Sequence, residues 1–365
     1  MMDADRLQEF LGTLNRARVL CVGDVMLDRF VHGEVERISP EAPIPVVRVE
    51  AENEVLGGVG NVARNVAALG GHATLLSIVG DDPVAAEVVG LLEHEPRIDA
   101  ELLPEANRQL TVKTRFVASG QQLLRADSET DTPISDPVAQ ALLATFDKVV
   151  AGVNAVVVSD YGKGVLTDQV LCHVINTARA QGKTVLVDPK GRDFSRYSGA
   201  DLITPNQREL ADATALGTAS EEQVVAAARK VIADCAITKV VVTRSSQGMS
   251  IVDANSAENL PVRAREVFDV SGAGDTVIAV LATAIGCGAD IDDAAALANL
   301  AAGIVVAKVG TAVAYPAEIT AALQDPRGVG PAAKLVDLDS ARDRAAGWRH
   351  QGLRVGFTNG CFDVL

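Results

Sequence analysis

The chain has 365 residues, 48% of them hydrophobic, and a formal net charge of −15. That apolar content excludes a disordered polymer and is enough for an α/β domain of about 300 residues plus a remainder, while the acidic balance argues against nucleic acid as the main partner. The five cysteines are scattered without paired spacing, the five histidines lack ligand spacing, and neither a signal peptide nor a membrane span is apparent, so a protein of the reducing cytoplasm with no membrane partner is expected.

The first Val/Leu-rich run is Arg18 to Val22, followed by Gly23-Asp24-Val25-Met26-Leu27-Asp28. Two stretches break the strand and helix rhythm: about 29–50, with Pro40, Pro43 and Pro45, and about 108–127, where Val112, Thr114 and Phe116 alternate as in an exposed antiparallel strand. Both read as one small β-layer projecting from a larger sheet, serving as a lid or a dimer contact. Between them, Gly57-Gly58-Val59-Gly60-Asn61 opens a helix ending near Gly70-Gly71. Its G-x-G-x-x-A pattern is not a dinucleotide fingerprint, because no buried strand precedes it and no acidic residue closes a second strand at the needed distance. Gly57 and Gly58 suit close backbone approach to a polyhydroxy ligand, with Asn61 supplying a hydrogen bond; a Gly-rich loop with Asn61 as N-cap is the alternative.

Further apolar runs at Thr74 to Val79, Ala155 to Val158, Thr184 to Val187, Asp201 to Ile203 and Lys239 to Thr243 alternate with helix-like segments. This predicts an α/β fold with a mostly parallel sheet covered by helices on both faces. Asp24, Asp160, Lys190, Asn206, Arg244 and Asp269 each fall at or just past the carboxyl end of a predicted strand, where open α/β sheets bind ligands. Lys113, Arg125, Lys163, Lys190 and Arg192 are candidate clamps for a substrate phosphate, or simply solvated surface charge. Pro205-Asn206-Gln207-Arg208-Glu209 spells a capping box; it also puts Asn206 and Glu209 on one face of a first turn, where Glu209 could reach a hydrated Mg²⁺ through water. The stretch from Thr243 through Arg244 to Gly248 lines a nucleotide pocket or only turns a hairpin. Asn299, in the Ala-rich helix from Ala294 to Val306, faces an adenine or satisfies a buried backbone group.

The most informative stretch is Asp269-Val270-Ser271-Gly272-Ala273-Gly274-Asp275-Thr276. Free N–H groups of Gly272, Ala273 and Gly274, added to the positive end of a helix dipole, would hold the charge on a phosphoryl group in transfer. Asp275 would take the proton from an attacking hydroxyl. An ordinary helix N-terminus with an acidic first turn is the plain alternative.

Gly57–Gly71 and Asp269–Asp275 together resemble the two signatures of the ribokinase-like (PfkB) sugar kinases. Gly23–Asp28, Lys113 with Gln121–Arg125, Ser159–Gly164 and Val187–Gly191 look more narrowly like the kinase half of the bifunctional heptose kinase/adenylyltransferases. The resemblance implies a ribokinase-like fold over 1–318, with ATP and Mg²⁺ as cofactors and heptose 7-phosphate as the partner substrate. It also implies Asp275 as base, Gly272 to Gly274 as anion hole, Asn206 and Glu209 near Mg·ATP, and Asp24, Gly58 and Asn61 on the sugar, with a homodimer through the β-layer. The commoner family form has Thr-Ala where this chain has Val270-Ser271. A linker is expected over 319–340. The tail from 341 to 365, ending Val355-Gly356-Phe357-Thr358-Asn359-Gly360-Cys361-Phe362-Asp363-Val364-Leu365, looks like the start of an adenylyltransferase domain, cut before its phosphate-binding H-x-G-H motif.

Overall fold

A computed structural model describes residues 4–118, 121–262, 267–308, 310–324 and 356. The strands are β1 (Arg18–Gly23), β2 (Val25–Ile38), β3 (Pro45–Gly58), β4 (His72–Val79), β5 (Ile98–Pro104), β6 (Thr111–Ala118), β7 (Gln121–Ser128), β8 (Ala155–Ser159), β9 (Thr184–Asp188), β10 (Leu202–Ile203), β11 (Lys239–Thr243), β12 (Met249–Val252) and β13 (Ala257–Leu260). The helices are α1 (Ala4–Leu11), α2 (Val59–Ala68), α3 (Pro83–Leu92), α4 (Asp136–Val149), α5 (Asp168–Ala180), α6 (Gln207–Thr214), α7 (Glu221–Cys235), α8 (Ala273–Gly286), α9 (Ile291–Val305) and α10 (Pro316–Gln324).

Among the described residues the main sheet has nine strands in the order β13-β12-β11-β10-β9-β8-β1-β4-β5. All neighbours from β11 to β5 are parallel, and β12 and β13 add an antiparallel margin. Because successive side chains leave opposite faces of a strand, the continuous apolar run of β1 feeds two cores at once. Val19 and Cys21 pack with α2, α8 and α9, while Leu20 and Val22 pack with α4, α5 and α7. Phe146 is fully buried in the second core, where truncation to Ala would cost about 3–5 kcal/mol.

The small layer is a second sheet in the order β3-β2-β6-β7. It corrects the sequence reading in two respects. Its first two strands run from Val25 to Gly58, so the layer grows directly out of β1 and feeds directly into α2. β6 and β7 do form an antiparallel pair, but β6 joins β2 in parallel, because the chain crosses back through β4, α3 and β5 before returning. Helix α10 runs to Gln324, across the first residues of the expected linker, with Ile319, Ala322 and Leu323 buried. The strand expected near the tail lies outside the described residues.

Candidate active site

β1 has β8 on one side and β4 on the other, so the winding reverses there and opens a crevice at the carboxyl ends of β1 and β8. Helix α8 enters this crevice with Gly272 as its N-cap at φ 76°, a left-handed conformation that an L side chain adopts only with strain. A Cβ at 272 would also lie 2.7 Å from Asn61 Nδ2. Asp275, in the first turn of α8, is 4% exposed. Asn61 Nδ2 donates to its Oδ2 at 2.8 Å, and the Tyr161 hydroxyl donates to its Oδ1 at 2.7 Å. Burial pushes the Asp275 carboxyl up to about 6, although both hydrogen bonds pull it down; the nearby charge of Asp28 adds to the rise. Tyr161 stays a donor, since burial and then the charges of Asp275 and Asp188 hold its phenol well above the usual value.

Asn61 is not an N-cap, which is Gly58; it lies inside α2 and is fully buried. Thr276 Oγ1 donates to Asn65 Oδ1, and Asn65 Nδ2 donates to the Asn61 carbonyl, so α2 and α8 are tied by a polar chain ending on the candidate base. The proposed anion hole is smaller than the sequence suggests. The Ala273 amide is occupied by the Val270 carbonyl at 3.2 Å, whereas the Gly272 and Gly274 amides meet no acceptor among the described residues. Asp269 follows no strand among the described residues; its carboxylate accepts from the Ser271 and Gly310 amides and so fixes the approach to α8.

Asp24 and Asp160 serve the loop between them. Asp24 accepts three amides, Tyr161 and Lys163 on Oδ2 and Val165 on Oδ1. Asp160 accepts the Gly162 amide and the Tyr197 hydroxyl. Both carboxylates are buried, Asp24 at 1% and Asp160 at 4% exposure, and hold the loop with these bonds. Gly57 and Gly58 are likewise needed by the protein itself: a Cβ at 57 would meet Asp28 Oδ2 at 2.7 Å, and one at 58 would meet the Asp24 carbonyl at 2.2 Å.

Asp28, whose charge reaches Asp275, is buried with Arg115 Nη1 at 2.5 Å. On the same face of the small sheet, Lys113 lies opposite Asp28 and Arg115 opposite Phe30, whose ring the Arg115 guanidinium covers at 5.2 Å. Lys163 projects from the loop that Asp24 pins and reaches Glu129 at 2.7 Å. Arg125 is half exposed and bonded to Asp127.

The nucleotide-side candidates lie along the carboxyl ends of β9, β10 and β11. Asn206 and Glu209 do form the capping box, and Glu209 Oε1 is 3.3 Å from Lys190 Nζ. Arg192 lies exposed beyond β9. Asp188 ends β9, and burial, then the charges of Asp275 and Glu209, raise its carboxyl well above the usual range. Mg²⁺ keeps most of its water and takes one or two carboxylates together with phosphate oxygens. Asp188 and Glu209, oxygen donors whose like charges Lys190 only partly offsets, fit that chemistry. Thr243 bridges to Asn206 at the end of β11. The buried Arg244 guanidinium donates from Nη1 and Nη2 to Ser250, Gln247, Asn259 and Glu221, while its Nε meets no acceptor among the described residues. Gly248 closes the β11–β12 hairpin, and Asn299 Nδ2 donates to the exposed Pro261 carbonyl.

Tyr161, Asp28 and Asp188 lie inside motifs recognisable in the sequence, yet position past a strand end singled out Asp24, Asp160 and Lys190 instead. The alternation of Asp28 with Phe30 along β2 was the usable signal for Asp28.

The sequence matches the family described as pfkB family carbohydrate kinase over residues 16–318. The Bifunctional protein HldE of Rhodospirillum rubrum is 52% identical over 360 residues, spanning 98% of this chain and 73% of that protein. The Bifunctional protein HldE of Paramagnetospirillum magneticum is 51% identical over 362 residues, spanning 99% and 73%. Phosphofructokinase-2 from Escherichia coli, crystallised in complex with potassium, is similar with a TM-score of 0.70 at 23% identity, over 85% of this chain and 99% of that one. Ribokinase from Arabidopsis thaliana, complexed with ribose and ATP, gives 0.63 at 18% identity over 85% and 99%. At such identities these two structures speak for the fold alone.

Proposed function

The chain belongs to the pfkB family of carbohydrate kinases, and from that premise we propose that it transfers the γ-phosphoryl group of ATP to the anomeric hydroxyl of D-glycero-D-manno-heptose 7-phosphate, giving the 1,7-bisphosphate on the way to ADP-heptose. The observation that carries this reading is Asp275, a buried carboxylate poised near pH 6 and held on both oxygens beside the free amides at the start of α8. The choice of sugar follows from the heptose-kinase likeness of the strand-end motifs and the closeness to the two HldE proteins.

In the proposed reaction the 1-hydroxyl oxygen bonds to the γ-phosphorus, the bond from that phosphorus to the β,γ-bridging oxygen breaks, ADP leaves, and the hydroxyl proton passes to Asp275. Asn61 and Tyr161 keep the base aimed. The Gly272 and Gly274 amides, with the positive end of α8, face the charge on the transferring group. Bound Mg²⁺ would neutralise nucleotide phosphates, with Asp188 near it and Glu209 reaching it through water. Lys190 and Asn206 border the same nucleotide side, and Lys113 and Lys163 would grip the 7-phosphate.

We assign this kinase domain to residues up to Gln324. Exposed Val35, Ile38, Leu123 and Leu124 on the small sheet support a homodimer through that layer. The unpaired cysteines at 21, 172, 235 and 287 suit a cytoplasmic location. Among the described residues no helix is long and apolar enough to cross a membrane.

A coupled ADP-release assay over a panel of sugars tests the reading. Removing the 7-phosphate should cost on the order of 10²-fold or more in kcat/KM. Equal turnover of free heptose, or better turnover of fructose 6-phosphate, would move the assignment to another sugar.

A further inference from the structure

Glu129 lies just past β7, on the rim of the crevice, with its side chain 41% exposed. Its Oε2 is 2.7 Å from Lys163 Nζ and 3.9 Å from Lys113 Nζ. The two lysine side chains are only 16% and 15% exposed, so water screens their charges poorly and anions beside them are favoured: Asp127 Oδ2 lies 3.4 Å from Lys113 Nζ, and Glu129 is the anion that reaches both.

The supports of the three groups differ. Lys113 stands in β6, beside Asp28 of β2. Lys163 stands in the loop whose amides Asp24 holds and whose Lys163 carbonyl accepts from Arg108. The same loop carries Tyr161, which touches Asp275. Glu129, by contrast, belongs to an exposed connection outside regular structure. The two cations are fixed and the carboxylate is the replaceable member. One carboxylate oxygen serves both lysines, whereas a phosphate monoester brings three terminal oxygens and up to two charges to the same pair.

We propose that Glu129 is a built-in stand-in for the phosphate of the substrate. In the free enzyme it pairs with Lys163 and supports Asp127 in neutralising Lys113; the incoming phosphate monoester takes its place and Glu129 turns out to solvent. Glu129 is thereby a specificity-determining residue, since only a ligand that outcompetes a carboxylate gains the lysine pair. The proposal rests on the sugar-phosphate kinase reading above.

The test compares wild type with Glu129→Gln, an isosteric change at an exposed position. Calorimetric titration with inorganic phosphate should show binding tightened roughly three- to tenfold in the variant. The KM for heptose 7-phosphate should fall by a similar factor, with the KM for ATP and the kcat/KM for free heptose unmoved. An unchanged or weakened phosphate affinity together with an unchanged or raised KM would overturn the proposal and make Glu129 a brace for the lysines. The two readings fail separately. If wild type does not prefer heptose 7-phosphate, the substrate assignment falls while the inorganic phosphate titration still decides the role of Glu129. If wild type shows that preference and Glu129→Gln shifts neither quantity, only the stand-in falls.

Discussion

Replacing Tyr161 by Phe removes one hydroxyl and leaves the ring in place, so it isolates the hydrogen bond on Asp275 Oδ1. A hydrogen bond to a charged partner contributes about 1.5–3 kcal/mol. At 1.36 kcal/mol per unit its loss should raise the carboxyl by about 1–2 units. The sign follows from the chemistry: the bond stabilises the carboxylate, so removing it favours the protonated form, and a protonated Asp275 cannot act as base. In wild type, kcat/KM should climb with pH through about 6, the value that burial sets for the free enzyme. In Tyr161→Phe the same limb should appear near 7–8, a unit or two higher. The active fraction at pH 7 then drops from roughly nine-tenths to between about one half and one tenth, and activity recovers by about pH 9. The assay is steady-state ADP release from pH 5 to 9 for both enzymes; titration of the substrate's own phosphate is common to the two curves. An acid limb that stays put or moves down would refute the reasoning. A loss equal at every pH would show that Tyr161 places substrate and does not tune the base.

Asp275→Asn should lower kcat by roughly 10²-fold or more while ATP affinity, measured by equilibrium titration, stays near wild type; near-normal turnover would remove Asp275 from the mechanism. Gly272→Ala meets both a left-handed φ and a contact of 2.7 Å to Asn61 Nδ2. It should therefore lose about 1–2 kcal/mol of stability in thermal unfolding and lower kcat by pushing Asn61 off the base, and an unaltered enzyme would show the N-cap to be slack. If the small sheet carries the proposed dimer contact, Ile38→Glu with Leu124→Glu, both on exposed parts of that sheet, should lower the mass seen in sedimentation velocity from dimer to monomer; a wild-type monomer, or a double variant of unchanged mass, would refute that contact.

The main sheet was legible because its buried parallel strands are short, continuous Val/Ile/Leu runs, and such runs have little else to be when helix-like segments separate them. The small layer was legible only as an interruption. That β6 pairs in parallel with β2 depends on the crossover through β4 and β5, and the strands themselves carry no sign of it. Local chemistry was read correctly where it is local, as in the capping box at Asn206 and Glu209. The Ala273 amide shows the limit even there, since a turn from Val270 removes one donor from a hole that the glycine pattern presents as three.

The carboxylates were the hardest to sort, for a physical reason. Asp24, Asp28, Asp160, Asp188 and Asp275 are one residue type near the ends or beginnings of apolar runs, and what separates a strut from a base is which donors converge on each and where the carboxylate sits. Asp24 collects its three amides from residues 161 to 165, a sequence separation of 137 to 141, so no window of sequence contains both partners. Asp275 collects two side-chain donors from Asn61 and Tyr161, 214 and 114 residues away. The difference matters chemically. Burial raises both carboxyls; backbone amides fixed by the fold hold Asp24 as a strut, whereas Asp275, near 6 with two side-chain donors beside the start of α8, is able to take up a proton and release it. The loop from 160 to 165 joins the two: Asp24 immobilises it, Tyr161 delivers the phenol to Asp275, and Lys163 faces Glu129 two residues later. A change that loosens Asp24 should therefore weaken the base and the phosphate grip together, a coupling that a separate loss at either site would contradict.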